Sequence, residues 1–409
     1  MQVFMVTNSA GELMGWAKPL IETLKQKSQT AKITVVIPPC QYATGMEKKV
    51  AENFSGVDSV LGPSDYLKYI FLGIRWSGFR EDGKGVVVFL GGDPIHAVLL
   101  SKRLRVPALA YIQKPRWKMF FRKFMVIDEK KREEFIASGV EPGKVIVVGD
   151  LTADAVELRM SKEEVCSYWN LDPEYPIISL MPGSRAEEVR YLTPLFLKVA
   201  ELVKKEFPKA QFVLILSPFA SEEQLTNLPS GQLEKVFPGT PKFKLVRKKQ
   251  WKLITNLNVE ALVVKENHYD IMNASHLVIT IPGTKTAEMA FLGTPMVVTV
   301  PLNKPEAIPL DGLPGLIGHV PWLGPMIKSG IVKRYSRKVK FTALPNLRAG
   351  KEIVPELRGI MKAQDISEKV IELLQDPVLR NNMACNLRSI MGARGAADRT
   401  AEAVLDELK

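Results

Sequence analysis

Few residues here could staple the chain or bind a metal. Three cysteines, Cys40, Cys166 and Cys385, lie far apart in 409 residues. That spacing excludes a disulfide framework and a CxxC metal site, and it fits a reducing compartment. No Asp-x-Asp pair occurs, so a metal-bridged diphosphate is not expected, and no cofactor is called for. No stretch approaches ~18 apolar residues without charge, which excludes a membrane-crossing helix. The first residues, MQVFMVTNSAGE, lack a basic segment followed by an apolar run, so no signal peptide is expected. Gly and Pro, 28 of each, are spread along the sequence rather than repeated, which excludes collagen-like and low-complexity classes.

What is present points to a large globular protein. The hydrophobic share is 46%, enough for sizeable cores. Single cores rarely grow past roughly 250–300 residues, so two domains are the default. Lys and Arg total 56 against 44 acids, a formal charge of +12. Such a balance suits nucleic acid, an anionic membrane face or phosphorylated substrates. No nucleic-acid recognition motif occurs, so nucleic acid is not an expected partner.

Short β-branched runs alternate with helical spacing. Gln2–Thr7, Ile33–Ile37, Val86–Leu90, Ala108–Tyr111, Lys123–Asp128 and Val145–Val148 predict strands, with helices at Glu12–Lys27 and Val98–Leu104. The pattern restarts with strands at Pro176–Leu180, Gln211–Leu216, Lys244–Arg247, Ala261–Lys265, Leu277–Ile281 and Met296–Val300. A long helix is expected over Glu187–Phe207, and closing helices over Asp365–Leu374 and Pro377–Met391. Alternation of this kind implies right-handed βαβ units and parallel sheets. Two doubly wound α/β domains joined near residues 155–175 are the simplest account. In such sheets ligands bind beyond the carboxyl ends of the strands.

Two strand-to-helix loops stand out. In Pro182-Gly183-Ser184-Arg185-Ala186-Glu187, Ser184 is the expected N-cap and Glu187 closes a capping box. The spacing alone specifies a well-capped helix. Free amides there, with the Arg185 guanidinium, would also attract a diphosphate. In Pro282-Gly283-Thr284-Lys285-Thr286-Ala287-Glu288, Thr284 could cap and touch phosphate, and Lys285 adds charge. Glu288 sits one turn on, where it could bridge ribose hydroxyls or simply favour the helix dipole. Asn346, in Leu344-Pro345-Asn346-Leu347, suits a turn. His268, His276 and His319 are scattered and read as structural.

The order PGSR…E, then PGT…AE with GTPMVV, then LPNL(x)AG…VPEL, resembles the lipid-A-disaccharide synthase family, glycosyltransferase family 19. Val147–Asp154 and Met391–Ala397 resemble further family stretches. The resemblance covers most of the chain from about residue 145 and is thinner before residue 130. It implies a GT-B fold, two Rossmann-like domains facing a central cleft: 1–160 for the acceptor and membrane, 170–375 for the UDP-sugar, and closing helices at 376–409 packing back on the first domain. It implies transfer of a glucosamine-type sugar from a UDP-activated donor, such as UDP-N-acetylglucosamine or an acylated form, to a lipid-linked or phosphorylated acceptor. Carried over, Gly183, Ser184, Arg185, Gly283, Thr284, Lys285 and Glu288 would hold the donor, with Asn346 nearby. The first loop departs from the family: GE-x-SGD is here Gly11-Glu12-Leu13-Met14-Gly15-Trp16, and the acidic PDFN stretch is replaced by Gly92-Asp93-Pro94-Ile95-His96.

Inverting sugar transfer needs a base for the acceptor hydroxyl and counter-charge for the departing diphosphate. Asp93, closing a strand at the expected cleft, is the first candidate for base. His96 is the second, because its ordinary pKa lies nearer operating pH. Lys114, Arg116, Trp117, Phe120, Phe121 and Phe124 interleave cations with aromatics, which suits an anionic bilayer surface or a partly buried helix. Lys328–Phe341 is a second basic run. A cytoplasmic, peripheral membrane enzyme is expected, and a homodimer is compatible with the chain. The competing expectations are a GT-B nucleotide-sugar epimerase and a catalytically silent nucleotide-sugar or lipid-binding protein.

Overall fold

The computed structural model describes residues 1–40, 43–76, 84–226, 233–304 and 339–408. The chain divides into two compact units. One comprises Met1–Val156 with Gly392–Lys409, the other Glu157–Met391.

The first unit is built on seven parallel strands: β1 (Gln2–Val6), β2 (Lys32–Val36), β3 (Ser59–Leu61), β4 (Gly85–Phe89), β5 (Ala108–Tyr111), β6 (Lys123–Val126) and β7 (Val145–Val147). Their order is β3-β2-β1-β4-β5-β6-β7. β1 and β4 are buried on both faces, as near-continuous Val, Phe and Met runs require when helices cover both sides. The chain winds one way from β1 to β3 and the other way from β4 on, so the order reverses between β1 and β4.

The second unit carries β8 (Ile177–Met181), β9 (Gln211–Ile215), β10 (Phe243–Arg247), β11 (Trp251–Thr255), β12 (Glu260–Val264), β13 (Leu277–Thr280), β14 (Met296–Pro301) and β15 (Glu356–Gly359). They lie in the order β10-β11-β12-β9-β8-β13-β14-β15, reversing between β8 and β13. An antiparallel edge, β10 with β11 and β11 with β12, extends the otherwise parallel sheet. A 21-residue amphipathic helix, Ala186–Glu206, packs beside the helix Ala363–Gln375.

The closing helices part company. Pro377–Ile390, expected to return to the first unit, stays on the second against Thr284–Leu292, Leu344–Ala349 and Ala363–Gln375. Only the following helix, Ala396–Asp406, returns, packing on Lys18–Lys27 and Leu151–Ala155. Asp154 fixes it there, its two carboxylate oxygens accepting the Gly395 and Ala397 amides at 2.7 and 2.6 Å. Lys27 adds ion pairs to Asp398 (3.0 Å) and Glu402 (3.1 Å).

Candidate active site

Each unit places charged side chains at the point where its strand order reverses, where the loops on either side diverge and leave a crevice. In the first unit the loops leave β1 and β4. Ser9 caps the helix that follows β1, its hydroxyl accepting the Glu12 amide. The next turn, Leu13–Ala17, is π-helical before regular helix resumes at Lys18. That turn holds Trp16, which donates to the Thr152 hydroxyl (3.1 Å) and meets Tyr111 edge-on.

Glu12 faces the β4 loop, and Oε1 accepts the Gly92 amide at 3.2 Å. Its Oε2 is buried with no partner. Burial pushes the Glu12 carboxyl above the ordinary range, overcoming hydrogen bonds from Ser9, Gly92 and Asn8 that favour the charged form. The Gly91-Gly92 pair permits this approach. A Cβ at Gly91 would lie 2.1 Å from the Glu12 carboxyl carbon, and one at Gly92, where φ is +86°, 2.2 Å from the Asn8 amide nitrogen.

Asp93 follows directly. One oxygen accepts the Ile95 amide (3.0 Å), and the other pairs with Arg116 (3.2 Å) at an accessible position. His96, on the helix Ile95–Leu104, meets the Tyr66 hydroxyl through Nδ1 at 3.1 Å. Burial lowers the His96 pKa, with the Asp93 charge acting the other way. Asp93, His96 and Glu12 therefore belong to one loop cluster. Sequence reasoning passed over Glu12 as a base or acid. Its isolation depends on glycines 80 residues away, and the one local signal was a carboxylate at the start of a helix.

In the second unit the loops leave β8 and β13. The cap of Ala186–Glu206 falls one residue later than expected. Arg185 is the cap residue and Glu188, not Glu187, closes the box. Glu188 accepts the Ser184 and Arg185 amides at 3.0 and 3.1 Å and the Arg185 guanidinium at 2.6 Å. Glu187 turns outward to Lys304 (3.1 Å). Gly183 lets the loop close, since a Cβ there would sit 2.3 Å from Glu188 Oε2 and 2.9 Å from Ile281 beyond β13.

The second loop shifts the other way, by one residue toward the strand. Gly283, not Thr284, is the cap, and Thr284 begins the helix Thr284–Leu292. Lys285 pairs with Glu288 at 2.7 Å and lies over the Tyr269 ring. Glu288 is fully buried, with Oε1 unpartnered, so it meets the surface only through Lys285 rather than presenting a carboxylate outward. Burial pushes the Tyr269 hydroxyl far above its usual range, with the Glu288 charge adding to it. Thr286 ties this loop to the Asn346 helix by accepting the Leu344 amide at 3.1 Å.

Asn346 is buried and engaged at both ends. Its oxygen accepts Ile353 and Val354 amides, and its nitrogen donates to Val354 O and Glu356. It supports the loops rather than reaching out from them. His276 accepts the Ile177 amide (3.1 Å) and His268 lies against Tyr269 with the rings tilted by 50°. His319 and most of Lys328–Phe341 lie outside the described residues.

The aromatic-basic run divides. Phe121 and Phe124 are core residues, packed with Phe89 and Phe135, which corrects their expected surface role. Trp117, Met119 and Phe120 are exposed, Met119 at 93%. A second exposed apolar group, Phe71, Leu72 and Ile74, was not anticipated, because its neighbours Tyr66 and Tyr69 are buried and nothing in the local pattern separates the two. The helix Ile95–Leu104 joins the groups: Lys102 lies 4.2 Å over the Phe120 ring and Arg103 6.0 Å from the Tyr69 ring. Among the described residues no helix is long and apolar enough to cross a membrane.

Residues 142–305 match the family model described as lipid-A-disaccharide synthetase. Over that stretch the chain is similar to that family. The matched stretch begins at the last strand of the first unit and contains both loops of the second. A lipid-A-disaccharide synthase of Geobacter metallireducens is 28% identical over 269 residues, 64% of this chain and 57% of that protein. One from Coxiella burnetii is 25% identical over 341 residues, 80% of this chain and 77% of its own. The alignment thus spans less than two thirds of the Geobacter relative. Among solved structures, UDP-GlcNAc 2-epimerase from Neisseria meningitidis bound to UDP-GlcNAc superimposes with a TM-score of 0.58 at 16% identity, covering 99% of this chain and 100% of that one. An S. aureus MnaA–UDP structure gives 0.60 at 12% identity, covering 100% and 96%. At these identities the likeness is one of fold: two Rossmann-like units, as in the GT-B enzymes.

Proposed function

We propose that the protein is a glycosyltransferase that moves a glucosamine-type sugar from a UDP-activated donor to a lipid-linked or phosphorylated acceptor, releasing UDP. The observation that carries this reading is the pair of loops at the second unit's strand reversal, which lie inside the stretch that matches the family. Arg185 and Lys285 are held there by carboxylates one helical turn away. An arriving diphosphate would take over those guanidinium and ammonium groups, adding the amides of Ser184 and Arg185 at the helix start. The same groups then stabilise the charge on departing UDP, in place of a metal.

In the first unit the acceptor hydroxyl gives up its proton as its oxygen bonds to the anomeric carbon. Asp93, paired with Arg116 and accessible, is the proposed base, and His96 supports it from the first turn of the helix that follows. The enzyme works from the cytoplasmic face of a membrane. Phe71, Leu72, Ile74, Trp117, Met119 and Phe120 enter the interface while Lys102 and Arg103 meet anionic headgroups, at about 1 kcal/mol per cation. An epimerase acting on a soluble nucleotide sugar has no use for such a face.

UDP release is the test. Protein incubated with UDP-N-acetylglucosamine or its acylated forms, plus an inner-membrane lipid extract, should release UDP only when donor and lipid are both present. Arg185→Ala should lower UDP affinity about tenfold or more, the worth of a charge-assisted contact, without unfolding the protein. Donor epimerisation without lipid would overturn the transferase reading, and unchanged UDP binding would remove Arg185 from the site.

A further inference from the structure

A cavity lies in the second unit at the edge opposite the loops that leave β8 and β13. It opens beside the amino-terminal ends of β9 and β12, where Gln211 and Glu260 begin their strands, and its volume is ≈ 320 Å³. That is near the lower end of small-ligand pockets, about 300–1,000 Å³. Its apolar wall is Leu171, Phe212 and Leu262.

The polar groups are unbalanced toward donors. The Trp169 indole nitrogen is buried with no acceptor. Lys204 lines the cavity and donates to Ala210 O at 2.7 Å, leaving further N–H bonds. Lys252 is paired with Glu260 at 2.8 Å, and Glu260 is the one carboxylate among the lining residues, against two ammonium groups. A buried donor without an acceptor costs about 1–3 kcal/mol, and an acceptor-rich ligand would recover it. Burial also depresses the Lys204 pKa, with Glu260 acting against the shift.

We infer that this cavity binds a small organic anion, a carboxylate or phosphate group on a compact apolar body, with the anion on Lys204 and the Trp169 N–H. The site is separate from the donor loops: Arg185 opens, and Lys204 nearly closes, the same 21-residue helix, about 30 Å long.

Calorimetric titration with butyrate and with glycerol 2-phosphate tests the inference. At least one probe should bind, and the preferred probe identifies the anionic group. Lys204→Met should weaken binding about tenfold or more, and Trp169→Phe, which removes only the N–H, by about three- to tenfold. Arg185→Ala should leave it unchanged. Binding of neither probe would overturn the inference. So would binding lost in Arg185→Ala but kept in Lys204→Met and Trp169→Phe, which places the anion at the donor loops.

Discussion

Gly92→Ala gives a prediction whose parts can be measured separately. The residue holds φ at +86°, and a left-handed backbone costs an L-residue about 1–2 kcal/mol. Its new Cβ would also lie 2.2–2.6 Å from the Asn8 carboxamide, and overpacking of that kind costs about 1–3 kcal/mol. The sum is a destabilisation of the first unit by about 2–5 kcal/mol. Gly139 isolates the backbone contribution, since φ is +89° and nothing lies within 4 Å of its Cβ position, so Gly139→Ala should cost only about 1–2 kcal/mol. Gly15 reverses the sign. It is helical, its Cβ would meet only Thr152 at 3.9 Å, and Gly15→Ala should stabilise by up to about 1 kcal/mol. Equilibrium urea unfolding gives the differences, with hydrogen exchange on peptides from β1 and β4 assigning them to the first unit. If Gly92→Ala costs no more than Gly139→Ala, the loops do not meet at Asn8 and the Glu12 cluster is not assembled as described.

Other predictions follow from the same contacts. The raised Glu12 carboxyl means the unfolded chain loses this proton first, so its contribution to stability falls as pH rises between the ordinary carboxylate range and the higher folded value. Glu12→Gln should therefore be more stable than wild type at neutral pH and match it in acid; a melting curve with the opposite order would refute the burial account. For Glu356, burial alone would raise the carboxyl, but donors on Thr342, Ala343 and Asn346 hold it lowered, so the stability it provides is lost as pH falls through that lowered value. Asn346→Ala should remove one of these donors, together with the acceptor of the Ile353 and Val354 amides, and cost about 1–3 kcal/mol in the second unit, measured by urea unfolding. Phe71→Ser with Met119→Ser should release the protein from phosphatidylglycerol vesicles in a sedimentation assay; retention in both low and high salt would rule out the apolar face.

Much of the architecture was legible because buried parallel strands announce themselves as aliphatic-rich runs followed by a Gly-bearing loop. β1, β4, β8 and β13 all read this way, and their reversal points follow from strand order. The antiparallel β11 was missed, since Trp251–Thr255 follows the polar Lys248-Lys249-Gln250 connection, which lacks a tight-turn signature. β3, three residues long, carries too little pattern. Arg185 and Asp93 stood out to motif reasoning because each lies in a loop beside a strand end, and Lys285 because it lies in the first turn of the helix after one. The register of the caps was not: Ser184 and Arg185 compete for one position, and the reach of Glu188 to two amides decides it. Phe121 and Trp117 show the same limit, since alternation of aromatics with cations does not tell which ring faces the core.

The Ala396–Asp406 helix has a consequence for synthesis. It covers Lys18–Lys27 and is anchored by Asp154, yet the ribosome makes it more than 230 residues after the rest of that unit is complete. At about 5–20 residues per second, the wait is roughly 10–50 s. During that interval the second unit is being made while the face of Lys18–Lys27 that this helix covers stays open. A nascent chain in this state is a natural client for a chaperone, and its first unit matures last although it is translated first.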